Sequence, residues 1–366
     1  MKKKVHLYCV HHMDLIWQRG WDRSHSDNGQ LIRSYKDLEE RQILRWLDLM
    51  NEHDRIKHSI EQTLSLRMLI DRNPDLRDTV RKHLKEGRLC ADGGGESIID
   101  TNLVCGESIV RNHLYSIHWL RKEFGYTPKI AIATDTFGLC AQLPQILRGL
   151  GYNVLALHSR VFDREELVWQ GLDGSRVYIG KLFSEPGSST LVAKWHAFCD
   201  GVSCRCGNRG CDACTGFGTV HSGLHRGDAD KVRSLFSTVR ETETEHVVVY
   251  LCSEWQITSP RFMETIDDLE NECDCEVTFS LLPDLRDALP TPGYDRFLEH
   301  KSENNDISPR PEGNPVCTGC YLSRIKLKQQ NRELENRLIG AEIWAALASE
   351  FGCVYPREKL AHLWNR

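Results

Sequence analysis

Long apolar runs are missing from this sequence. The N-terminal stretch MKKKVHLYCVHHMD opens with basic residues, but its apolar part is short and ends at two histidines. A secretory signal needs a longer apolar region, and a membrane-spanning helix needs about 20 consecutive apolar residues. We therefore expect a soluble, cytoplasmic protein that does not associate with membranes.

An excess of charge of one sign is missing as well. The 366 residues include 47 Lys and Arg against 52 Asp and Glu, which gives a formal net charge of −5. A protein whose affinity for nucleic acid or anionic lipid is mainly electrostatic carries a basic surface. We therefore expect no nucleic-acid partner, while the sequence leaves homo-oligomer formation open. The length suits one large α/β domain and a smaller piece.

Cysteine and histidine, by contrast, are abundant, with 15 and 16 residues. Without a secretory signal, metal binding or simple burial explains the cysteines better than disulfides do. Two short-spaced pairs lie in a Cys-rich, Gly-rich region at about 195–226, in the pattern of a closed tetrahedral zinc site: Cys204, Cys206, Cys211 and Cys214. We predict a structural zinc there, which would supply folding energy to a segment with almost no core. Free thiols or a flexible loop are the alternatives.

Short apolar strands alternate with amphipathic helices along most of the chain. Helical spacing is clear in Ser34–Met50 and Ser108–Phe124, and Ile60–Leu69 has the same character. Val247–Cys252 has the continuous apolar character of a buried strand, and Asp173-Gly174 is a strong hairpin-turn signal. This alternation predicts an α/β fold of parallel strands with crossover helices.

A His-x-Asp pair follows the first predicted strand. His12 and Asp14 are two residues apart, so both side chains leave the same face of an extended backbone. An imidazole nitrogen and a carboxylate oxygen suit Zn²⁺ or a similar divalent ion. The pair alone is common, and a solvated loop is the alternative interpretation.

A single carboxylate follows the strand Ile130–Ala133. Asp135 lies between this strand and a helix that begins near Ala141, at the rim where α/β folds bind their ligands. The residue types permit a metal ligand, a general base, a nucleophile or a simple helix N-cap. The stretch by itself favours none of these four roles.

Two further stretches carry polar groups or glycines of interest. Glu254 follows the strand Val247–Cys252 and precedes Trp255, so desolvation by the indole would raise its pKa toward that of a general acid. A polar strand terminus beside a core tryptophan is the alternative. Gly93 to Gly95 indicate a close backbone approach, a bulge or a turn, without the lysine and helix of a phosphate loop.

Four segments in collinear order carry motifs that we compare with known enzymes. They are VHHMDLIW (Val10–Trp17), EGRLCADGGGESIIDTNLVCGESIVRN (Glu86–Asn112), TDTFGLCAQLPQIL (Thr134–Leu147) and GCYLSRIKLKQQNRELEN (Gly319–Asn336). Together they resemble the family 38 glycoside hydrolases, which are retaining α-mannosidases. The first is similar to the family's His-x-His-x-Asp-x-x-Trp motif, and the third is similar to its Pro-Asp-x-Phe-Gly…Gln-Leu-Pro stretch.

The resemblance implies a (β/α)7-type barrel with one zinc ion at the carboxyl ends of its strands. Carried over residue by residue, it places zinc on His12, Asp14 and Asp135. It makes Asp135 the nucleophile that forms a covalent mannosyl-enzyme intermediate, and it places Trp17 in the wall of the sugar site. The implied substrate is an α-mannoside or a mannose-containing oligosaccharide.

The chain departs from the family pattern at several positions. Val10 replaces the first histidine of the motif, Thr134 replaces the proline before the nucleophile, and the acid/base aligns only with Glu254. The Cys-rich region is an insertion. Leu360–Arg366 resembles the start of the helix whose continuation supplies a fourth zinc ligand, a histidine, so we expect the chain to be truncated before that ligand.

The resemblance also predicts a domain division. We expect a catalytic domain over residues 1–300 with the Cys-rich insertion, and a linker with an incomplete helical middle domain over 301–366. The predicted function is a zinc-dependent retaining α-mannosidase that hydrolyses terminal α-mannosyl linkages. The alternatives are a catalytically impaired homologue that binds glycan or zinc without turnover, and a metal-dependent carbohydrate deacetylase.

Overall fold

A computed structural model describes most of the chain. It covers residues 2–12, 22, 25–27, 30–32, 34–134, 136, 138–158, 166–181, 190–195, 236–253, 258, 262–288, 298–301 and 319–365. Within these residues, strands and helices alternate as the sequence predicts.

The described strands are three to nine residues long. They are β1 (Lys3–His11), β2 (His25–Asp27), β3 (Gln30–Ile32), β4 (His58–Ile60), β5 (Leu89–Ala91), β6 (Ala131–Thr134), β7 (Val154–His158), β8 (Glu166–Gln170), β9 (Arg176–Lys181), β10 (Thr190–Trp195), β11 (His246–Ser253), β12 (Cys275–Phe279) and β13 (Leu298–Lys301).

The described helices range from one turn to seven turns. They are α1 (Tyr35–Glu52), α2 (Thr63–Arg72), α3 (Arg77–Lys85) after a 3₁₀ turn at Pro74–Leu76, α4 (Gly106–Phe124), α5 (Leu143–Gly149), α6 (Phe262–Cys273), α7 (Leu282–Ala288), α8 (Gly319–Leu322), α9 (Ile325–Glu350) and α10 (Arg357–Trp364). None of the helices in the described ranges is both long and apolar enough to cross a membrane.

The first sheet is built around β1, with the strand order β10-β11-β1-β4-β5. All of its pairings are parallel, and β12 also pairs in parallel with the N-terminal half of β1. The interior of β1 is buried on both faces, which explains its continuous apolar sequence. The predicted parallel strands with crossover helices are therefore confirmed.

The second sheet has the order β13-β8-β9-β7-β6. Its β8 and β9 form the antiparallel hairpin predicted at Asp173-Gly174, where Gly174 has φ of +86°. The other pairings in this sheet are parallel. An isolated parallel bridge between Gly93 and Ala131 links the end of β5 to β6, so the two sheets meet at that edge. The fold is mixed α/β with parallel sheets.

One short element differs from its predicted structure. The sequence pattern places Ile60 in a helix, whereas His58–Ile60 forms β4 and helix α2 starts at Thr63. The three-residue strand is too short to produce a recognisable alternation, while the leucines of α2 that follow have clear helical spacing. The consequence is that Glu61 lies at a strand end.

Residues 319–365, which we call the helical segment, contact the α/β body (the described residues 2–301) through polar side chains. The Tyr321 hydroxyl donates to Asp100 Oδ1 at 2.7 Å. The Glu335 Oε1 atom accepts from the Cys105 backbone N–H at 3.0 Å and from Ser108 Oγ at 2.6 Å, at the N-terminus of α4. A carboxylate at this position compensates the exposed N–H groups and positive dipole end of α4.

Candidate functional site

Three neighbouring parallel strands end together at one edge of the first sheet. The register pairs His11 with Ile60 and Ile60 with Ala91, so His12, Glu61 and Asp92 are the residues that follow β1, β4 and β5. All three side chains are buried. The carboxyl edge of parallel strands is where α/β folds bind ligands, so this edge is the candidate site.

Of the three predicted zinc ligands, His12 is the one that lies within the described residues. Its side chain is buried, and its Nδ1 lies 2.7 Å from Glu61 Oε2. Histidines that bind metal almost always use their second ring nitrogen to donate to a carboxylate or a carbonyl. The His12–Glu61 pair has the chemistry of such an arrangement, in which Nε2 would be the nitrogen that binds the metal.

Glu61 is a site residue that the sequence did not identify. Its carboxylate is fully buried and accepts a second hydrogen bond, from Thr134 Oγ1 to Oε1 at 2.6 Å. Thr134 is the last residue of β6 and precedes Asp135. Glu61 therefore links the end of β1 to the end of β6, the two strand ends that carry predicted zinc ligands. Its position directly after a strand was the available signal, but β4, with three residues, was too short to be predicted.

Asp92 is a second buried carboxylate, one strand further along. It accepts from the Tyr8 hydroxyl at 2.8 Å and from the Cys90 thiol at 3.0 Å. Burial raises the pKa of Asp92 to about 6, while the hydrogen bonds from Cys90 and Tyr8 oppose the shift and the charge of Glu61 adds to it. The side chains that hydrogen-bond to it belong to β1 and β5, and His12 is not among them. We therefore assign Asp92 a structural role beside the site.

The glycine run makes the close backbone approach that its sequence predicts. A Cβ atom on Gly93 would lie 2.6 Å from the Ile130 carbonyl oxygen, and one on Gly94 would lie 2.5 Å from the Glu61 carbonyl oxygen. Gly95 has φ of +81°, a conformation that other residues rarely adopt. These glycines let the chain after β5 pass between β4 and β6, so they help to bring Glu61 and Thr134 together.

The other acidic residues after the glycine run have structural partners. Glu96 forms an ion pair with Arg67, and Asp100 accepts from Tyr321 in the helical segment. Burial raises the pKa values of both carboxyl groups. They hold the loop and the helical segment, and neither makes a described contact with His12.

A small cavity lies beside β6. Its volume is about 30 Å³, and its lining includes His113, Thr136 and Leu143. His113 is buried there, and burial lowers its pKa to about 4. The cavity therefore belongs to the packing behind the site.

The remaining predicted site residues lie outside the described residues. They are Asp14, Trp17, Asp135, Glu254 and the four cysteines Cys204, Cys206, Cys211 and Cys214. Among the residues that are described, no group of three or more His, Cys, Asp or Glu side chains is arranged to hold a metal ion. The cysteines whose side chains are described form no disulfides, and several of them are buried, as in Cys90.

The residues at the site fit a metal in their chemistry. The described donor is an imidazole oriented by a buried carboxylate, which is a common support for zinc-binding histidines. Thr134 brings the strand end before Asp135 to the same carboxylate. His12 thus has the supporting carboxylate of a metal-binding histidine, Glu61. The same carboxylate contacts Thr134, the residue that precedes Asp135 in the sequence.

Comparisons with known proteins agree with this fold. Alpha-mannosidase 2C1 from Homo sapiens is 26% identical over 337 residues, which cover 87% of this chain and 28% of that protein. Alpha-mannosidase G from Dictyostelium discoideum is 28% identical over 172 residues, which cover 45% of this chain and 15% of that protein. The chain therefore spans well under a third of the length of these curated relatives.

A solved structure and a family profile complete the comparison. An alpha-mannosidase from Enterococcus faecalis superposes with a TM-score of 0.66 at 19% identity, over 99% of this chain and 37% of that one, which shows a shared fold. The profile of the glycosyl hydrolases family 38 N-terminal domain matches residues 2–266, a range that includes β1, β4, β5 and β6. On this evidence, the chain belongs to glycosyl hydrolase family 38.

Proposed function

We propose that this chain carries the active-site part of a zinc-dependent, retaining α-mannosidase that acts on terminal α-mannosyl linkages. The observation that carries the proposal is the buried His12–Glu61–Thr134 link at the strand ends. This link orients His12, one predicted zinc ligand. It also fixes the end of β6, the strand that precedes the predicted ligand Asp135. Family membership and relatives named as alpha-mannosidases supply the substrate class.

The proposed metal and sugar site uses residues that follow two strands, β1 and β6. His12, Asp14 and Asp135 would hold the zinc ion, with His12 using Nε2. The bound metal would supply Lewis-acid contact to sugar hydroxyls and favour ring distortion. Trp17 would form an apolar wall for the sugar ring.

The proposed chemistry uses two carboxyl groups of the chain. Asp135 attacks the anomeric carbon and the glycosidic bond breaks, while the Glu254 carboxylic acid gives its proton to the leaving oxygen. Glu254 then removes a proton from the water that hydrolyses the mannosyl ester on Asp135, so the anomeric configuration is retained.

The proposed domain organisation follows the family pattern. Residues 1–300 would form a (β/α)7-type barrel, with the insertion at about 195–226 folded around a second, structural zinc on its four cysteines. Residues 301–366 would form a linker and the first part of a helical middle domain. A cytoplasmic location stays a prediction.

Hydrolysis of p-nitrophenyl α-D-mannopyranoside by the purified chain with one equivalent of zinc tests the proposal. We expect turnover that Asp135→Ala lowers by at least about 10³-fold, because a covalent nucleophile is lost. The matched control is Asp173→Ala, an exposed turn aspartate in the β8–β9 hairpin, which leaves turnover unchanged. Equal turnover in Asp135→Ala and the parent would contradict the proposal.

A second candidate function is glycan or zinc binding without turnover. It is favoured by the substitutions at two family positions, Thr134 before the nucleophile and Glu254 at the acid/base. One extra methylene at Glu254 would displace the proton donor by about a bond length, and misplacements of that size are costly to the rate. Zinc bound at His12 without mannoside hydrolysis would select this second candidate.

A further inference from the structure

Glu61 occupies the junction between the two sheets. It follows β4 in the first sheet, and its partner Thr134 is the last residue of β6 in the second sheet. Among the described residues, the bridge between Gly93 and Ala131 links the backbones of the two sheets in this region. The Glu61 carboxylate thus adds a side-chain connection across the same junction between the two sheets.

The backbone around Glu61 restricts its position. Its N–H donates to the His11 carbonyl at 3.4 Å, while the next strand contributes the bond from the Asp92 N–H to the Ile60 carbonyl at 2.9 Å. Gly94 packs against the Glu61 carbonyl so closely that a Cβ atom would lie 2.5 Å from that oxygen. The backbone of Glu61 is therefore held in place by contacts with β1 on one side and with the chain after β5 on the other.

The two hydrogen bonds of the carboxylate have different consequences. When the Glu61 carboxylate is ionised it only accepts, so His12 then donates from Nδ1, and a neutral imidazole has its lone pair on Nε2. Thr134 donates to the other oxygen, and this bond fixes the end of β6 directly before Asp135. One buried residue thus favours one tautomer of a predicted ligand, His12, and holds the strand end at Thr134.

We propose that Glu61 is a positioning residue that preorganises the metal site, by locking the Nδ1–H tautomer of His12 and by tying the β6 end to the β1 end. This inference rests on the proposed function, since it concerns the same zinc site. Glu61 is not a catalytic residue, because its two oxygens are engaged by His12 and Thr134. A purely structural buried carboxylate would stabilise the fold without affecting the affinity for a metal.

The test compares zinc affinities of folded variants by competition with a chromophoric chelator at pH 7. His12→Ala identifies the zinc that belongs to this site. Glu61→Gln keeps the size and one acceptor for His12, and its amide can donate to Thr134 Oγ1, but the negative charge is lost. Asp92→Asn is the matched control, because it makes the same change in a buried carboxylate one strand away that contacts Tyr8 and Cys90.

We expect Glu61→Gln to weaken zinc binding by about 10–100-fold, the effect typical of losing a partner that orients a metal-binding histidine. Thr134→Val, which removes only the bond to β6, should weaken binding less. Asp92→Asn should weaken binding less than Glu61→Gln, because the side chains that hydrogen-bond to Asp92 are Tyr8 and Cys90. A second readout needs no metal: ¹⁵N NMR of the histidine ring should show His12 as the Nδ1–H tautomer in the parent. In Glu61→Gln the Nε2–H form should also be populated, because an amide, unlike a carboxylate, can donate to Nδ1.

Each outcome separates the two claims. If His12→Ala loses zinc while Glu61→Gln binds it as tightly as the parent and keeps the tautomer, Glu61 has no positioning role and the proposed function stands. If His12→Ala binds zinc as well as the parent, the proposed function fails, and the positioning role fails with it. If Glu61→Gln does not fold, the parent tautomer and the Thr134→Val affinity decide: an Nε2–H form of His12, or an unchanged affinity, overturns the inference.

Discussion

Two tryptophans show how differently the α/β body and the helical segment are stabilised. Trp46 in α1 is 1% exposed, stacks on His58 with ring centroids 4.4 Å apart and meets Phe262 edge-on. Trp344 in α9 is 72% exposed. In α9 the described buried side chain is a charged one, Glu335, while several leucines and isoleucines of the helix lie exposed.

The contrast indicates which forces hold each region. The body buries a continuous apolar core, which is the dominant source of folding free energy. The helical segment contacts the body through hydrogen bonds and ion pairs, including the two bonds between Arg111 and Glu342 at 2.9 and 2.6 Å. Because a net hydrogen bond or partly exposed ion pair contributes only about 1 kcal/mol, the segment should detach more easily than the body unfolds.

The largest expected effect is that of Trp46→Ala. The substitution would leave a large cavity among α1, α6 and the first sheet, so we expect a loss of about 3–5 kcal/mol in the free energy of unfolding. Urea unfolding followed by far-UV circular dichroism measures it. A loss below about 1 kcal/mol would mean that the body does not depend on this core.

The second-largest expected effect is a pH dependence of the free energy of unfolding, caused by Asp92 in the α/β body. A carboxyl group with a folded pKa of about 6, above its unfolded value of 3.8, destabilises the folded state once it ionises. The penalty is absent below pH 3.8, grows as the pH rises and is complete above pH 6, where it amounts to about 3 kcal/mol.

Asp92→Asn removes this titration. Between pH 4 and pH 7 the variant should gain up to about 3 kcal/mol relative to the parent, as measured by chemical unfolding at each pH. Parallel stability curves for the two proteins across this range would show that the burial of Asp92 has no energetic consequence.

Glu335 is the corresponding buried carboxylate of the helical segment, and Glu335→Ala should have a smaller effect. The variant leaves the Cys105 N–H and the Ser108 hydroxyl without their acceptor, at a cost of about 2 kcal/mol. Hydrogen exchange should show lower protection in α9 and in the first turn of α4, while the β1 amides keep theirs. The matched control is Glu333→Ala, whose exposed side chain pairs only with Arg337 among the described contacts. Equal exchange in both variants would contradict a docking role for Glu335.

The smallest expected effect is that of Trp344→Ala. The side chain is mostly exposed, so the free energy of unfolding of this chain should change by no more than about 0.5 kcal/mol. The same urea titration as for Trp46→Ala gives a direct comparison of one substitution in two regions. A loss of several kcal/mol would show that α9 contributes to the core.

The sequence predicted long or strongly patterned elements well. β1 and β11 have continuous apolar runs, α4 has a clear helical period, and the Asp173-Gly174 turn has a defined geometry, so local chemistry was enough to identify them. The four motifs indicated the family, which the profile match over residues 2–266 shows.

The sequence did not reveal the residues whose roles depend on contacts between distant elements. Glu61 follows a three-residue strand, and its partners are 49 and 73 positions away, at His12 and Thr134. Glu335 belongs to a helix with several exposed leucines, and the acid is buried because it meets the N-terminus of α4. Neither pairing leaves a local signature in the chain.

A zinc site at the strand ends is tested most directly by anomalous diffraction at the zinc absorption edge, from crystals of the chain grown with one equivalent of zinc. We expect an anomalous peak about 2.0–2.1 Å from His12 Nε2, on the side of the imidazole away from Glu61, with Asp14 and Asp135 oxygens among the other ligands. Zinc bound only by the cysteines of the 195–226 insertion, with no peak at His12, would contradict it.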